Sequence, residues 1–208
     1  MKTSTSIFKN TKKIVLLAIL AALGSILMFI EIPYPIEPFL RFDLSELVIL
    51  LTVEIFGFWP SVLVAVIKSL MYVMVMGVTT PMGIGVITAF IASVIISGLY
   101  ILVKKGINGT TFSKKFLRFL LIIIGFSTIL TICNYLFITP IYFGGLWFTD
   151  VKDWATLSSF IPGLPFDLGY GAAIAFIYIP FNSLKGLLVL TVYEIISPRL
   201  IETFKKLN

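Results

Sequence analysis

This sequence predicts an all-α integral membrane protein: six transmembrane helices in one compact bundle, with both termini cytoplasmic. Three observations carry the prediction. Of 208 residues, 59% are hydrophobic and 12% charged, and the mean hydropathy is +1.07, far more apolar surface than a soluble domain can hide. Apolar runs recur along the whole length, so residues 1–208 read as a single membrane domain with no separate soluble part. Basic residues gather in alternate connections, as the positive-inside rule requires of a multi-pass chain.

Breaks at Pro, Gly and charge clusters place the helices at about 13–31, 46–58, 60–77, 83–104, 116–140 and 170–196. The first apolar run has basic residues before it and a Glu-Pro stretch after it, where a signal peptide would carry a small-residue cleavage site. It therefore reads as a retained helix. The second is short, roughly 20 Å at 1.5 Å per residue, so it is tilted or buried among its neighbours. Lys2, Lys9, Lys12 and Lys13 precede the first helix, Lys104, Lys105, Lys114, Lys115 and Arg118 fill the connection after the fourth, and Arg199, Lys205 and Lys206 follow the sixth. With six spans these segments share one side, the cytoplasmic one. The opposite loops hold Glu31, Glu37, Asp43, Asp150, Asp153 and Asp167 against only Arg41 and Lys152. The net charge of +6 thus reflects topology and anionic lipid; no basic groove with stacking aromatics points to nucleic acid. Two of the outer loops, around residues 31–46 and 142–171, are rich in Pro, Gly and aromatics and read as covers, with Trp147, Phe148 and Trp154 suited equally to an interfacial aromatic belt.

The absence of histidine and the single cysteine, Cys133, exclude histidine-based triads, HExxH zinc sites and thiolate clusters. No GxxxxGK[ST] loop is present for ATP hydrolysis. The polar residues inside the spans therefore carry the functional signal. Asn182 and Lys185, three apart, lie on one helical face, and Pro180 frees a carbonyl one turn earlier. An ammonium near mid-membrane costs at least about 2.5 kcal/mol, so it faces a cavity or a partner unless it snorkels to the surface. Asn134 lies roughly 9 Å below the end of the fifth helix marked by Pro140, a depth comparable with Asn182. Together these describe a pocket open to the outside, although a single intramembrane Asn also serves as interhelical glue. Glu54 and Lys68, on consecutive helices around "GFWP", read as a structural ion pair. Ala18 and Ala22, with Ala21 alongside, form a small-xxx-small step that lets another helix approach closely.

The stretches "RFDLSEL", "EIFGFWPSVLVAVIKSLMY", "TTPMGIG", "ICNYLFITPIY" and "IPFNSLKGLLV", in this order, resemble the riboflavin-binding S components of energy-coupling factor (ECF) transporters. The resemblance implies a six-helix binding protein in a prokaryotic plasma membrane. It would capture riboflavin from outside and associate with a transmembrane coupling protein and two cytoplasmic ATPases, which alone use ATP. It implies flavin contacts at Asn134, Asn182 and Lys185, a lining contribution from Phe42, Asp43 and Thr79, and docking to the coupling protein at Ala18 and Ala22. No catalytic residue, metal or catalytic cofactor is implied. Ala89 stands where the family pattern leads one to expect Asn, Ala65 where it leads one to expect an acid, and Glu54 is an unexpected acid. These departures leave other ligands open: FMN, thiamin or pantothenate. Two further classes stand beside them: a self-sufficient secondary transporter, for which no inverted repeat is visible, and an intramembrane enzyme using Asp43, Glu46 or Asp167 as acid and base.

Overall fold

The computed structural model of the chain describes residues 10–35, 37, 39–109, 111–144 and 169–207. Trp147, Phe148, Trp154 and Asp167 lie outside the described residues. The elements are α1 (Thr11–Phe29), a two-residue antiparallel pair β1 (Ile32–Pro33) and β2 (Arg41–Phe42), α2 (Ser45–Phe56), α3 (Phe58–Met76), α4 (Ile84–Gly106), α5 (Phe112–Cys133), α6 (Thr139–Gly144) and α7 (Tyr170–Leu207). A π-helical turn, Asn134–Ile138, joins α5 to α6 into one column. The described residues thus form six helical columns, five of them long and apolar enough to cross a membrane. The exception is α2, with 12 residues, of which Ser45–Val53 are all buried.

Local chemistry explains where the helices begin and end. The Asn10 side chain accepts from the Lys12 amide and starts α1. Gly57, at φ +91°, makes the turn between α2 and α3, a backbone region that only glycine enters without strain. The sequence places the start of the third helix at Pro60; α3 begins two residues earlier, at Phe58, and Pro60 occupies its first turn, where the missing N–H has no helical partner to lose. The Thr80 hydroxyl accepts from the Gly85 amide at 2.9 Å and opens α4, while Lys104 and Lys105 close it beside the negative end of the helix dipole.

The last two columns run beyond the expected bounds. The fifth begins at Phe112 rather than 116 and, after the π turn, continues to Gly144. In π pairing the Tyr135 carbonyl would look to residue 140, which is Pro140 and has no N–H; the Tyr170 hydroxyl donates to that carbonyl instead, at 3.0 Å. The sixth runs past Pro198, because the carbonyl this proline leaves open belongs to the exposed Glu194, within reach of water.

The core is apolar and close-packed. Leu20, Ile49, Leu50, Val64, Ile96 and Phe126 interlock from α1 to α5, while Val189 and Leu190 complete the cluster from α7. Small residues bring backbones together where hydroxyls can link them, as Ser61 and Ser97 do at 3.2 Å. At the end of the bundle that carries residues 30–44, two further clusters form. One joins Tyr170, Ile174, Ile177 and Tyr178 to Phe39 and Phe143; the other is Tyr34, Phe42 and Phe181.

Candidate ligand-binding site

The N-terminal end of α2 meets α3 and α7 in a buried set of charges. Asp43, just before α2, accepts from the Ser45 amide at 2.9 Å and from the Ser45 hydroxyl, which aims its other carboxylate oxygen at α7. There Lys185 Nζ donates to Asp43 at 2.8 Å and lies 3.4 Å from Glu46. Lys68 of α3 lies 3.4 Å from the other Glu46 oxygen and donates to the Ser45 hydroxyl. The side chains of Lys68 and Glu46 are 0% exposed. Two carboxylates and two ammonium groups make the set neutral, the condition for keeping such groups inside a membrane. Burial by itself would raise the Asp43 carboxyl; Lys185, and after it Lys68, outweigh that and hold it well below the usual carboxylate range.

Above this set is a cavity of about 220 Å³. Asp43, Lys185, Asn182 and Asn134 give it a polar side, Leu130, Ile138, Ala89 and Ala92 an apolar wall, and Glu31, Arg41, Tyr72 and Thr79 a further polar group. Asn134 is the first residue of the π turn, and its amide nitrogen donates to the Leu130 carbonyl at 2.8 Å. Asn182 is 3% exposed, and its amide nitrogen finds no hydrogen-bond partner in the structure. A buried donor left open costs about 1–3 kcal/mol, and Asn182 is one of the residues that line this cavity. The chemistry offered is an amide donor, a charge-assisted ammonium and carboxylate, and apolar walls. That combination suits a flat heterocycle with carbonyl and imide edges.

Five of the residues singled out in the sequence, Asp43, Thr79, Asn134, Asn182 and Lys185, meet at this one cavity. Phe42 does not line it: its ring stacks at 4.9 Å on Phe181, which does, so Phe42 supports the wall from behind. Ala18 and Ala22 lie on the exposed face of α1, whereas Ala21 is buried. The expected pair of Glu54 with Lys68 does not form. Glu54 bonds to Lys104 and, at 2.8 Å, accepts from the Tyr100 hydroxyl, while Lys68 pairs with Glu46. The reason is height: Glu46 and Lys68 are each eleven residues from the Gly57 turn, whereas Glu54 is only three. Among the described residues no group of His, Cys, Asp and Glu could hold a metal.

Comparison with known proteins identifies the family. The family model described as "ECF transporter, substrate-specific component" matches residues 12–197. The chain belongs to that family. It is the binding component of a transporter, a multi-pass membrane protein and not an enzyme, which sets aside the acid–base role for Asp43, Glu46 and Asp167. Among its relatives, the riboflavin transporter FmnP of Bacillus subtilis (strain 168) is 24% identical over 190 residues, covering 90% of each chain. The riboflavin transporter RibU of Staphylococcus aureus (strain TCH60) is 28% identical over 203 residues, 96% of this chain and 95% of that one. RibU of Streptococcus thermophilus (strain ATCC BAA-250 / LMG 18311) is 28% identical over 183 residues, 84% and 85%. The solved S component of a bacterial ECF transporter superposes with a TM-score of 0.69 at 22% identity, covering 93% of this chain and 98% of that one, and shares its fold.

Sequence reasoning about this S component missed the inward role of Glu46 and Lys68 and the whole Glu31, Arg41 and Tyr72 group. The equal spacing of Glu46 and Lys68 from Gly57 is a signal that could have found the first pair. Tyr72 donates to Glu31 across 41 residues, and no local pattern reveals that contact.

Proposed function

We propose that this S component captures riboflavin from outside the cell and delivers it to an ATP-driven ECF assembly in a prokaryotic plasma membrane. The observation that carries the proposal is the open amide of Asn182 beside the Lys185–Asp43 pair, inside a cavity at the end of the bundle that carries the acidic loops. The names of the relatives support the choice of ligand. The pyrimidine edge of the flavin presents two carbonyl acceptors and an imide donor. Asn182 and Asn134 match both senses, Lys185 serves a carbonyl, Asp43 orients Lys185, and Thr79 closes the far side. The dimethylbenzene end takes the apolar wall.

The clusters at Lys104–Lys105 and Lys114–Arg118 support a cytoplasmic position for the opposite end and, with it, for both termini. Ala18 and Ala22, exposed and small, then form the close-approach face for a transmembrane coupling protein, which links the chain to two cytoplasmic ATPases. Purified protein should quench flavin fluorescence, and Asn182→Ala or Lys185→Ala should weaken binding more than tenfold. A panel of FMN, thiamin and pantothenate on the same preparation tests the ligand. Unchanged affinity in both variants would sink the site, and a tighter member of the panel would replace riboflavin.

A further inference from the structure

The cavity carries a second ion pair, separate from the buried set. Glu31, at the end of α1, and Arg41, on β2, both line it and are hydrogen-bonded to each other. Backbone pairing fixes their approach: Ile32 stands opposite Phe42 and Pro33 opposite Arg41. A third group holds Glu31 in place, the Tyr72 hydroxyl of α3, donating to its other oxygen at 2.8 Å. The Arg41 side chain is 57% exposed, so the pair sits at the mouth, whereas Lys185 and Asp43 are about 10% exposed or less and lie at the depth of the pocket.

The ionisable lining is therefore balanced pair by pair. Lys185 is held by Asp43, with Glu46 behind it, and Arg41 by Glu31; among the described residues no lining cation is left over. A neutral ligand meets no net charge. A phosphate monoester, carrying about −1.5 to −2 at neutral pH, would meet the Glu31 carboxylate, which already neutralises the guanidinium it would need. With its pyrimidine edge at the deep polar end, a flavin whose ribityl tail, leaving the central ring at N10, runs toward the mouth would bring a terminal phosphate beside Glu31 and Arg41. Resting on the flavin reading above, we propose that Glu31, by engaging Arg41, makes the site selective for the uncharged vitamin over its phosphorylated form. A repulsive element of this kind gives specificity without adding a contact to the preferred ligand.

The test is the affinity of purified protein for riboflavin and for FMN, read by flavin fluorescence in wild type, Glu31→Gln, Arg41→Gln and the double variant. Wild type should favour riboflavin by at least about tenfold. Glu31→Gln should shift the ratio of FMN to riboflavin affinity about tenfold toward FMN, with the gain shrinking at high salt as expected for an exposed charge. Arg41→Gln added to Glu31→Gln should abolish the gain. Should Glu31→Gln fail to fold, Glu31→Asp, which withdraws the carboxylate, should move FMN in the same direction. The inference is overturned if riboflavin binds and FMN affinity is the same with and without Glu31, or if wild type binds the two equally. Binding of neither flavin by wild type would overturn the riboflavin reading itself, and this inference with it.

Discussion

Lys68→Met removes one ammonium from a set that is neutral only when complete. Asp43 and Glu46 would then face Lys185 alone, leaving one uncompensated negative charge among side chains that are 0% exposed at positions 46 and 68. Removing one partner of a buried pair costs about 3–5 kcal/mol. For a chain of this size that corresponds to a fall in thermal midpoint on the order of 10 °C. Adding Glu46→Leu restores neutrality, since Asp43 and Lys185 remain as a pair at 2.8 Å, and replaces the lost ions with apolar volume. The double variant should therefore recover most of the loss, giving a coupling of roughly 2–4 kcal/mol rather than additivity. Unfolding in detergent, followed by circular dichroism for the four members of the cycle, measures it. A single variant costing under about 1 kcal/mol, or a double variant as unstable as the sum of the singles, would refute the idea that charge balance governs this region.

Asn182→Leu separates binding from folding: it removes an unsatisfied buried donor, so stability should stay level or rise by about 1 kcal/mol while flavin affinity falls more than tenfold. A loss of stability equal to the loss of binding would make Asn182 structural. The Asp43 carboxyl is held low in the folded chain, so its contribution is complete above the unfolded value near 3.9 and is lost as pH falls through the depressed folded value. Consequently the difference in thermal midpoint between wild type and Asp43→Asn should be constant from about pH 8 to 5 and shrink only in stronger acid; a gap that closes already near pH 6 contradicts the assignment. Finally, Ala18→Leu with Ala22→Leu should leave flavin affinity within about twofold and block co-purification with the coupling protein, because both positions face outward from α1. Intact co-purification would remove α1 from the docking face.

Much of the helical layout was legible because lipid forces a long apolar run for each crossing, and charge marks the connections. Asn182 and Lys185 stood out for the same reason: hydrocarbon makes a stray amide or ammonium expensive. Helix bounds were less legible where proline was involved. Pro60 read as a start and Pro198 as a stop, yet each sits where its missing N–H or freed carbonyl costs little, so α3 begins before the one and α7 runs past the other. The π turn at Asn134 depends on Tyr170 reaching the Tyr135 carbonyl from another helix, a contact with no trace in the local sequence. Phe42 was assigned to the lining from its neighbourhood to Asp43, but adjacent residues in an extended segment point to opposite sides, and one of the two must look away. Glu54 drew attention as a lone acid in an apolar helix; its partners, Lys104 and Tyr100, come from α4 and required the tertiary arrangement.

The shortness of α2 has a consequence for the shape of the whole molecule. Twelve helical residues rise about 18 Å, whereas the hydrocarbon layer is about 30 Å deep, so two turns of helix are missing from the space above Ser45. Asp43 and Arg41 bend away there instead of continuing the rod, and both line the cavity. Starting this helix late leaves the chamber open, and extending it upward beyond Ser45 would fill that space with backbone.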